Sequence, residues 1–251
     1  LIHFSNTNIT TNAPFIWIND IRSYHNELLI STENNLIWTL DPKTGVATKL
    51  PIEIAVSNTY SAVKHHQYYL FESRNDASIY LYDSTEKTTK LFANTHSRVY
   101  FLQTPDNIYY YNRSGIHKLD LNTGTTAHIF KDEVKEVIPI GDKLYAISDN
   151  KIYIIADDEI IAQREITTPP IAITQAQNEQ AIFTINKSGE VKKWSLTLDI
   201  LPHSFPDKTL NNVRKILHDS SNTLWFLTSS GIERAAETTI THHEFDANIA
   251  S

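Results

Sequence analysis

The chain has no cysteine and no methionine in 251 residues, and only six glycines. Without cysteine there is no disulfide framework and no thiolate metal site. That absence suits a periplasmic and a cytoplasmic protein equally. With so little glycine there is no phosphate-cradling loop, and no Gly-x-Ser-x-Gly elbow holds a serine nucleophile. No apolar run approaches the roughly 18–20 residues of a membrane span. The longest candidates, such as Ile152–Ala156, are strand-sized. The net charge is -7 and the basic residues are scattered. Without a basic stripe, nucleic acid and anionic membrane are excluded as main partners. The chain opens on Leu1 without a secretory signal pattern, as a mature or trimmed chain would.

What is present is a packed, repetitive chain. Hydrophobic residues make up 41% and charged residues 20%, which suits a folded domain rather than a disordered one. Short stretches of alternating polarity recur throughout, rich in aromatic and β-branched residues and bounded by Asn, Asp, Gly, Ser or Thr. No window of helical length shows a 3.6 period. One strand type recurs around Leu29, Tyr69, Tyr109, Tyr145, Ile182 and Trp225, at steps of 36 to 43 residues. A period near 40 with four short strands per unit is the signature of propeller blades.

The following strand ends in a matching turn in three repeats: Asp41-Pro-Lys-Thr-Gly45, Asp83-Ser-Thr-Glu, and Asp120-Leu-Asn-Thr-Gly124. The Asp carboxylate bonds the backbone two residues on and Gly supplies positive φ, so these are hairpin turns. The spacing predicts an all-β fold, a β-propeller of four-stranded antiparallel blades, six by repeat count and seven if one repeat has decayed. The single domain spans 1–251, with blades at about 13–50, 51–92, 93–130, 131–166, 167–205 and 206–246. Residues 1–12 are expected to form an extra outer strand, because Leu1-Ile-His-Phe-Ser5 resembles Ile240-Thr-His-His-Glu-Phe245. One of these two stretches should complete the last blade.

The last repeat is the most specific. It reads Val213-Arg-Lys-Ile216, then Asp219-Ser-Ser-Asn-Thr-Leu-Trp225-Phe-Leu-Thr228-Ser-Ser-Gly231-Ile-Glu-Arg234. This resembles the two-component-regulator propeller repeat, with Phe226 and Leu227 standing where that family usually has Ile and Gly. The stretch from Phe4-Ser5-Asn6 to Ile21 is similar to the opening of such sensors. The resemblance implies an extracytoplasmic, periplasmic sensor region of a bacterial receptor. Such a region precedes a membrane helix and a histidine kinase or GGDEF diguanylate cyclase output domain.

Candidate chemistry is sparse. The pairs His65-His66 and His242-His243 are neighbours along strands, where side chains point to opposite faces, so neither is expected to chelate a metal. Asp157-Asp158 and Asp132-Glu133 sit in expected turns, without the paired-carboxylate cleft of a glycosidase. Trp38, Trp194 and Trp225 are expected at equivalent strand positions, packed between blades. Tyr109-Tyr110-Tyr111 is expected to place rings on both sheet faces.

A ligand is better sought on the turns joining second and third strands. These are Glu33–Asn35, Arg74–Asp76, Asn112–Ser114, Ser148–Asn150, Asn186–Ser188 and Ser229–Ser230. Within them Arg74, Arg113 and Lys187 are the candidate contacts for an anion or a sugar. No cofactor, metal or catalytic residue is expected. The expected partners are a small polar ligand, such as an oligosaccharide, the attached membrane and output domains, and a second copy in a homodimer. The alternatives are a protein-interaction scaffold and a glycan hydrolase or lyase.

Overall fold

The computed structural model describes residues 18–24, 26–32, 37–52, 59, 61–73, 76–203, 205, 212–229, 231–236 and 239–244. The expected extra strand at 1–12, Arg74 and Trp17 lie outside the described residues, as do the side chains of His242 and His243.

Among the described residues, twenty-four strands follow in chain order. The first sheet holds β1 (Ile18–Tyr24), β2 (Glu27–Thr32), β3 (Ile37–Leu40) and β4 (Ala47–Lys49). The second holds β5 (Ala62–His65), β6 (Tyr68–Ser73), β7 (Ser78–Asp83) and β8 (Thr88–Asn94). The third holds β9 (Tyr100–Gln103), β10 (Ile108–Asn112), β11 (Gly115–Asp120) and β12 (Thr125–Phe130). The fourth holds β13 (Glu136–Ile140), β14 (Lys143–Ile147), β15 (Lys151–Ala156) and β16 (Glu159–Glu165). The fifth holds β17 (Pro170–Gln175), β18 (Ala181–Asn186), β19 (Val191–Ser195) and β20 (Ile200–Leu201). The sixth holds β21 (Val213–His218), β22 (Leu224–Thr228), β23 (Gly231–Ala236) and β24 (Thr239–Glu244).

Each sheet is four consecutive strands in simple meander order, and the fold is a six-bladed β-propeller. Among the described residues there is no helix long and apolar enough to cross a membrane. The C-terminal stretch around Ile240 is β24, the outer strand of the sixth sheet, paired to β23.

The turn chemistry expected from the sequence is present. Asp41 Oδ1 accepts from Lys43 N at 2.8 Å, and Asp120 Oδ1 accepts from Asn122 N at 2.9 Å. Gly45 and Gly124 close these turns at φ of 73° and 71°. In the second repeat Asp83 Oδ1 accepts from Thr85 N at 2.8 Å, and Lys87 takes the left-handed place at φ 55°. Asp157 and Asp158, at φ 50° and 65°, are the two central residues of the β15–β16 hairpin, the backbone of a type I′ turn.

The chain forms two compact units, one built mainly on the first three sheets and one on the last three. In the first unit, the second sheet packs back on the first through Ala62, Tyr69, Phe71 and Tyr82, which meet Leu29, Ile37 and Leu50. It packs forward on the third through Val63, Leu70, Ile79 and Leu81, which meet Phe101, Ile108 and Tyr110. In the second unit, Tyr145, Ile147, Ile152 and Ile154 of the fourth sheet meet Ile173, Ile182, Trp194 and Leu198. The fifth sheet turns Ala172, Phe183 and Ile185 to Ile216, Leu224 and Phe226 of the sixth. These dry interfaces are the source of stability, at about 25 cal/mol per Å2 of apolar surface removed from water.

The interfaces correct the alignment of the repeats. Leu29 and Tyr145 face forward, to the next sheet, whereas Tyr69 and Ile182 face back. The true mates of Leu29 are therefore Leu70 and Phe183, one residue along. A one-residue slip changes the face of every side chain in a strand. The tryptophans need a similar correction. Trp38 and Trp194 lie on third strands, but Trp225 lies on a second strand. Trp194 is buried and donates from Nε1 to Thr184 Oγ1 at 2.9 Å. Tyr109, Tyr110 and Tyr111 are all buried, and Tyr111 stacks on Tyr100 with centroids 5.0 Å apart.

Candidate functional site

The inner strands carry the charged side chains that tie neighbouring sheets. In the first unit, Arg22 on β1 is the tie. Its Nε donates to Asp20 Oδ2 at 2.7 Å and its Nη2 to Ser61 Oγ at 3.2 Å, beside β5. Its Nη1 reaches the carbonyl of Phe101 on β9. Phe101 N in turn donates to Ser61 Oγ at 3.3 Å. One guanidinium thus spans three sheets, which its five donors in a rigid fork permit.

In the second unit the tie has the opposite sign. Glu136 on β13 accepts from Ile173 N on β17 at 2.9 Å through Oε2. Its Oε1 lies 3.5 Å from Lys215 Nζ on β21. Burial pushes the Glu136 carboxyl above its ordinary range, while the Lys215 charge and the Ile173 N–H pull the other way. The Glu136 side chain is only 13% exposed, so water screens this carboxylate little.

Beside this tie lie the turns joining second and third strands. Lys135 N donates to Ile147 O at 2.8 Å, which extends the strand pairing and fixes the lysine. Its Nζ lies 2.7 Å from Asp149 Oδ1 on the β14–β15 turn. The Lys135 hydrogen bond and charge hold Asp149 below the usual carboxylate range, and Lys187 adds a smaller pull. Lys187 sits on the β18–β19 turn of the fifth sheet. That turn is rigid: Asn186 Oδ1 accepts from Ser188 N at 2.9 Å and from Glu190 N at 3.0 Å. Gly189 completes it at φ 85°.

The charge of Lys187 thus acts on Asp149 of the fourth sheet, more weakly than that of Lys135. Arg113 is exposed on the β10–β11 turn of the third sheet, away from these partners in sequence and sheet. Asp149 lies in the Ser148–Asn150 turn that the sequence offered for a ligand, whereas sequence reasoning missed Lys135, Glu136 and Lys215. No motif marks them, because each is a single charge in an ordinary strand or turn.

The other candidates have structural partners. Asp219 Oδ1 accepts from Ser221 N at 2.8 Å, and its Oδ2 accepts from Trp225 Nε1 at 2.7 Å. The residues that carried the family resemblance thus lock a turn. His65 and His66 do not point to opposite faces. The left-handed φ of 54° at His66 breaks the alternation and leaves the two rings 4.3 Å apart. His65 Nδ1 bonds Gln103 Nε2 at 3.1 Å, across to the third sheet. Among the described residues, no group of three or more His, Asp or Glu is placed to hold a metal.

No protein-family model and no curated protein matches the chain. Solved structures do match in fold. The extracellular domain of a protein assigned as a hybrid two-component system from B. thetaiotaomicron aligns with a TM-score of 0.71 at 12% identity over 95% of this chain. This chain spans only 34% of that domain. KlHsv2, with a loop replaced by a Gly-Ser linker, aligns with a TM-score of 0.71 at 8% identity, covering 93% of this chain and 83% of that one. The computationally designed Ika8 protein aligns with a TM-score of 0.68 at 12% identity, covering 91% and 76%. At these identities the likeness is one of fold, and what the chain shares with all three is the β-propeller.

Proposed function

We propose that this chain is the extracytoplasmic ligand-sensing propeller of a bacterial signal-transduction receptor and is not itself catalytic. The observation that carries this reading is the match, over nearly the whole chain, to the extracellular domain of a two-component system. The sequence of the last repeat, from Asp219 to Arg234, supports it independently.

The ligand is a small polar molecule, an anion or an oligosaccharide, that meets Lys187 and the Lys135–Asp149 pair. Those groups come from two sheets, so a ligand touching both binds one spacing of the sheets better than another. A ligand shifts a conformational equilibrium only through such unequal binding. The signal passes to a membrane helix and an output domain, a histidine kinase or a GGDEF cyclase, in a receptor that works as a homodimer. Arg74 and Arg113 remain secondary candidates for the same ligand.

The test is the complete gene. An apolar stretch of about 20 residues leading into a kinase or cyclase domain is the expected result. A complete gene without a membrane segment or an output domain would remove the basis for the sensor reading.

A further inference from the structure

Two histidines meet Phe205 where the fifth sheet joins the sixth. His218 ends β21 and is 2% exposed. Its ring stacks on Phe183 with centroids 5.1 Å apart and meets Phe205 edge-on at 6.4 Å. Both of its ring nitrogens are engaged. Gln177 N, on the β17–β18 hairpin, donates to His218 Nδ1 at 3.1 Å. A backbone N–H can only donate, so Nδ1 is bare and the ring proton sits on Nε2. That nitrogen donates to Asn222 Oδ1 at 2.9 Å. Only the neutral ring can make both bonds, since a charged imidazole has a donor at each nitrogen. Beside them Asn178 Nδ2 donates to Ser220 O at 2.7 Å. Two bonds thus join the hairpin of the fifth sheet to the end of β21 and the turn that follows it, and one of them needs an uncharged histidine. His203 is the second ring on Phe205, with centroids 6.2 Å apart. Its Nε2 donates to Val191 O at 2.9 Å, and its Nδ1 is buried without a hydrogen-bond partner among the described residues. A proton added there would also be buried without an acceptor.

We infer that His218 is a pH-sensitive latch between the fifth and sixth sheets, shut while its ring is neutral and opened when the ring takes a proton. Histidine is the side chain that changes charge between about pH 5 and pH 8. A proton taken at Nδ1 faces the Gln177 N–H, so that bond is lost and two donors oppose each other. The hairpin is exposed from Gln177 to Gln180, so water takes up the released N–H. The charged groups around the ring are few. Asp219, the next residue, draws a proton toward His218. Its own oxygens serve the turn, Oδ1 for Ser221 N and Thr223 N and Oδ2 for Trp225 Nε1. Lys193 Nζ lies 5.7 Å from the Phe183 centroid and pairs with Glu179 of the hairpin. His203 is the remaining titratable group, and its proton would add a like charge on the same aromatic cluster. The latch requires no ligand, so it stands or falls separately from the sensing role.

The experiment follows amide hydrogen exchange by NMR at about pH 8 and about pH 5, in the wild type and in His218→Asn. Rates are corrected for the intrinsic effect of pH. Asparagine sets a neutral acceptor near the place of Nδ1 and cannot take a proton. The Ala176 amide, which bonds Ala181 O within the hairpin at 2.9 Å, is the reference. In the wild type we expect Gln177 to lose about tenfold in protection at the lower pH, the size of one hydrogen bond, while Ala176 keeps its own. In His218→Asn we expect no loss. Nitrogen shifts of the wild-type imidazoles at the higher pH should show the Nε2–H tautomer at His218, a measurement that needs no variant. The inference is overturned by an Nδ1–H tautomer or by Gln177 protection that does not change with pH. An equal loss in His218→Asn, or at Ala176, overturns it as well.

Discussion

The two units solve one problem with opposite charges. Each must keep three inner strands in register where aliphatic side chains thin out. The first unit uses a cation, Arg22, that donates to a hydroxyl and a backbone carbonyl of the next two sheets. The second uses an anion, Glu136, that accepts a backbone N–H and meets a lysine. The two ties do not share a position: Arg22 pairs with Leu29 and so corresponds to Ile138, whereas Glu136 pairs with Ile147 two residues along. Either sign serves, provided that the facing backbone offers the complementary group.

The largest effects should come from the apolar interfaces within each unit. Phe101→Ala in the first unit and Phe183→Ala in the second each remove a fully buried ring. Each should cost about 3–5 kcal/mol. Hydrogen exchange followed by mass spectrometry should show each loss concentrated in its own unit. Equal deprotection of both units by either substitution would erase the distinction between them.

The ties come next. Arg22→Ala should cost about 1.5–3 kcal/mol, the range for hydrogen bonds to a charged group. Arg22→Lys should recover little of it, because an ammonium cannot match the fork that spans three partners. Glu136→Ala leaves the Ile173 N–H without its acceptor and should cost about 1–3 kcal/mol, whereas Glu136→Gln keeps an acceptor and should cost less. Urea titration of the four variants ranks them. Equal losses for Gln and Ala at Glu136 would show that charge, and not the accepted N–H, is the tie.

The pH dependence sharpens the same contrast. The folded pKa of Glu136 is raised by burial. Its protonated form is favoured in the fold, so this contribution is fully present below the unfolded carboxylate pKa and is lost as pH rises through the folded value. Glu136→Gln should flatten that loss. In the first unit the stacked rings of Tyr110, His117 and His128 act with the opposite slope. His117 lies between the other two, with centroid separations of 4.6 and 4.1 Å. Burial, with a smaller contribution from His128, lowers the His117 pKa to about 4. A depressed histidine stabilises the fold above its unfolded pKa, and that stability is lost as pH falls from about 6.5 toward the folded value. His117→Gln should remove this loss, as read from Tm against pH.

The smallest effect belongs to the turns. Asp219→Ala removes the acceptor of two turn N–H groups and of Trp225 Nε1. It should cost about 1 kcal/mol.

The sequence made the meander legible because several hairpins carry their own local chemistry. Asp41, Asp83 and Asp120 cap their turns within four residues, and alternation marks the strands between them. The register of the repeats was less legible. Tyr69 and Leu70 are adjacent and both apolar, and only packing distinguishes the forward face from the back. The ties were not legible at all. Arg22 meets Phe101 79 residues away, and Glu136 meets Ile173 37 residues away. The accepted N–H does recur, since Ser61 Oγ takes it from Phe101 as Glu136 takes it from Ile173, but the acceptor changes from a hydroxyl to a carboxylate. Of the candidate ligand contacts, Lys187 is the one whose charge acts on Asp149. That residue belongs to the preceding repeat, which a reading of single turns does not join.

The most direct test of the sensing role is a thermal-shift screen against oligosaccharides and small anions, run on the wild type and on Lys187→Glu. A ligand at 100 times its Kd should stabilise the wild type by about 2.7 kcal/mol, and Lys187→Glu should lose most of that shift. The reading would be contradicted by an equal shift in the variant, by no shift with any compound, or by turnover of a chromogenic glycoside.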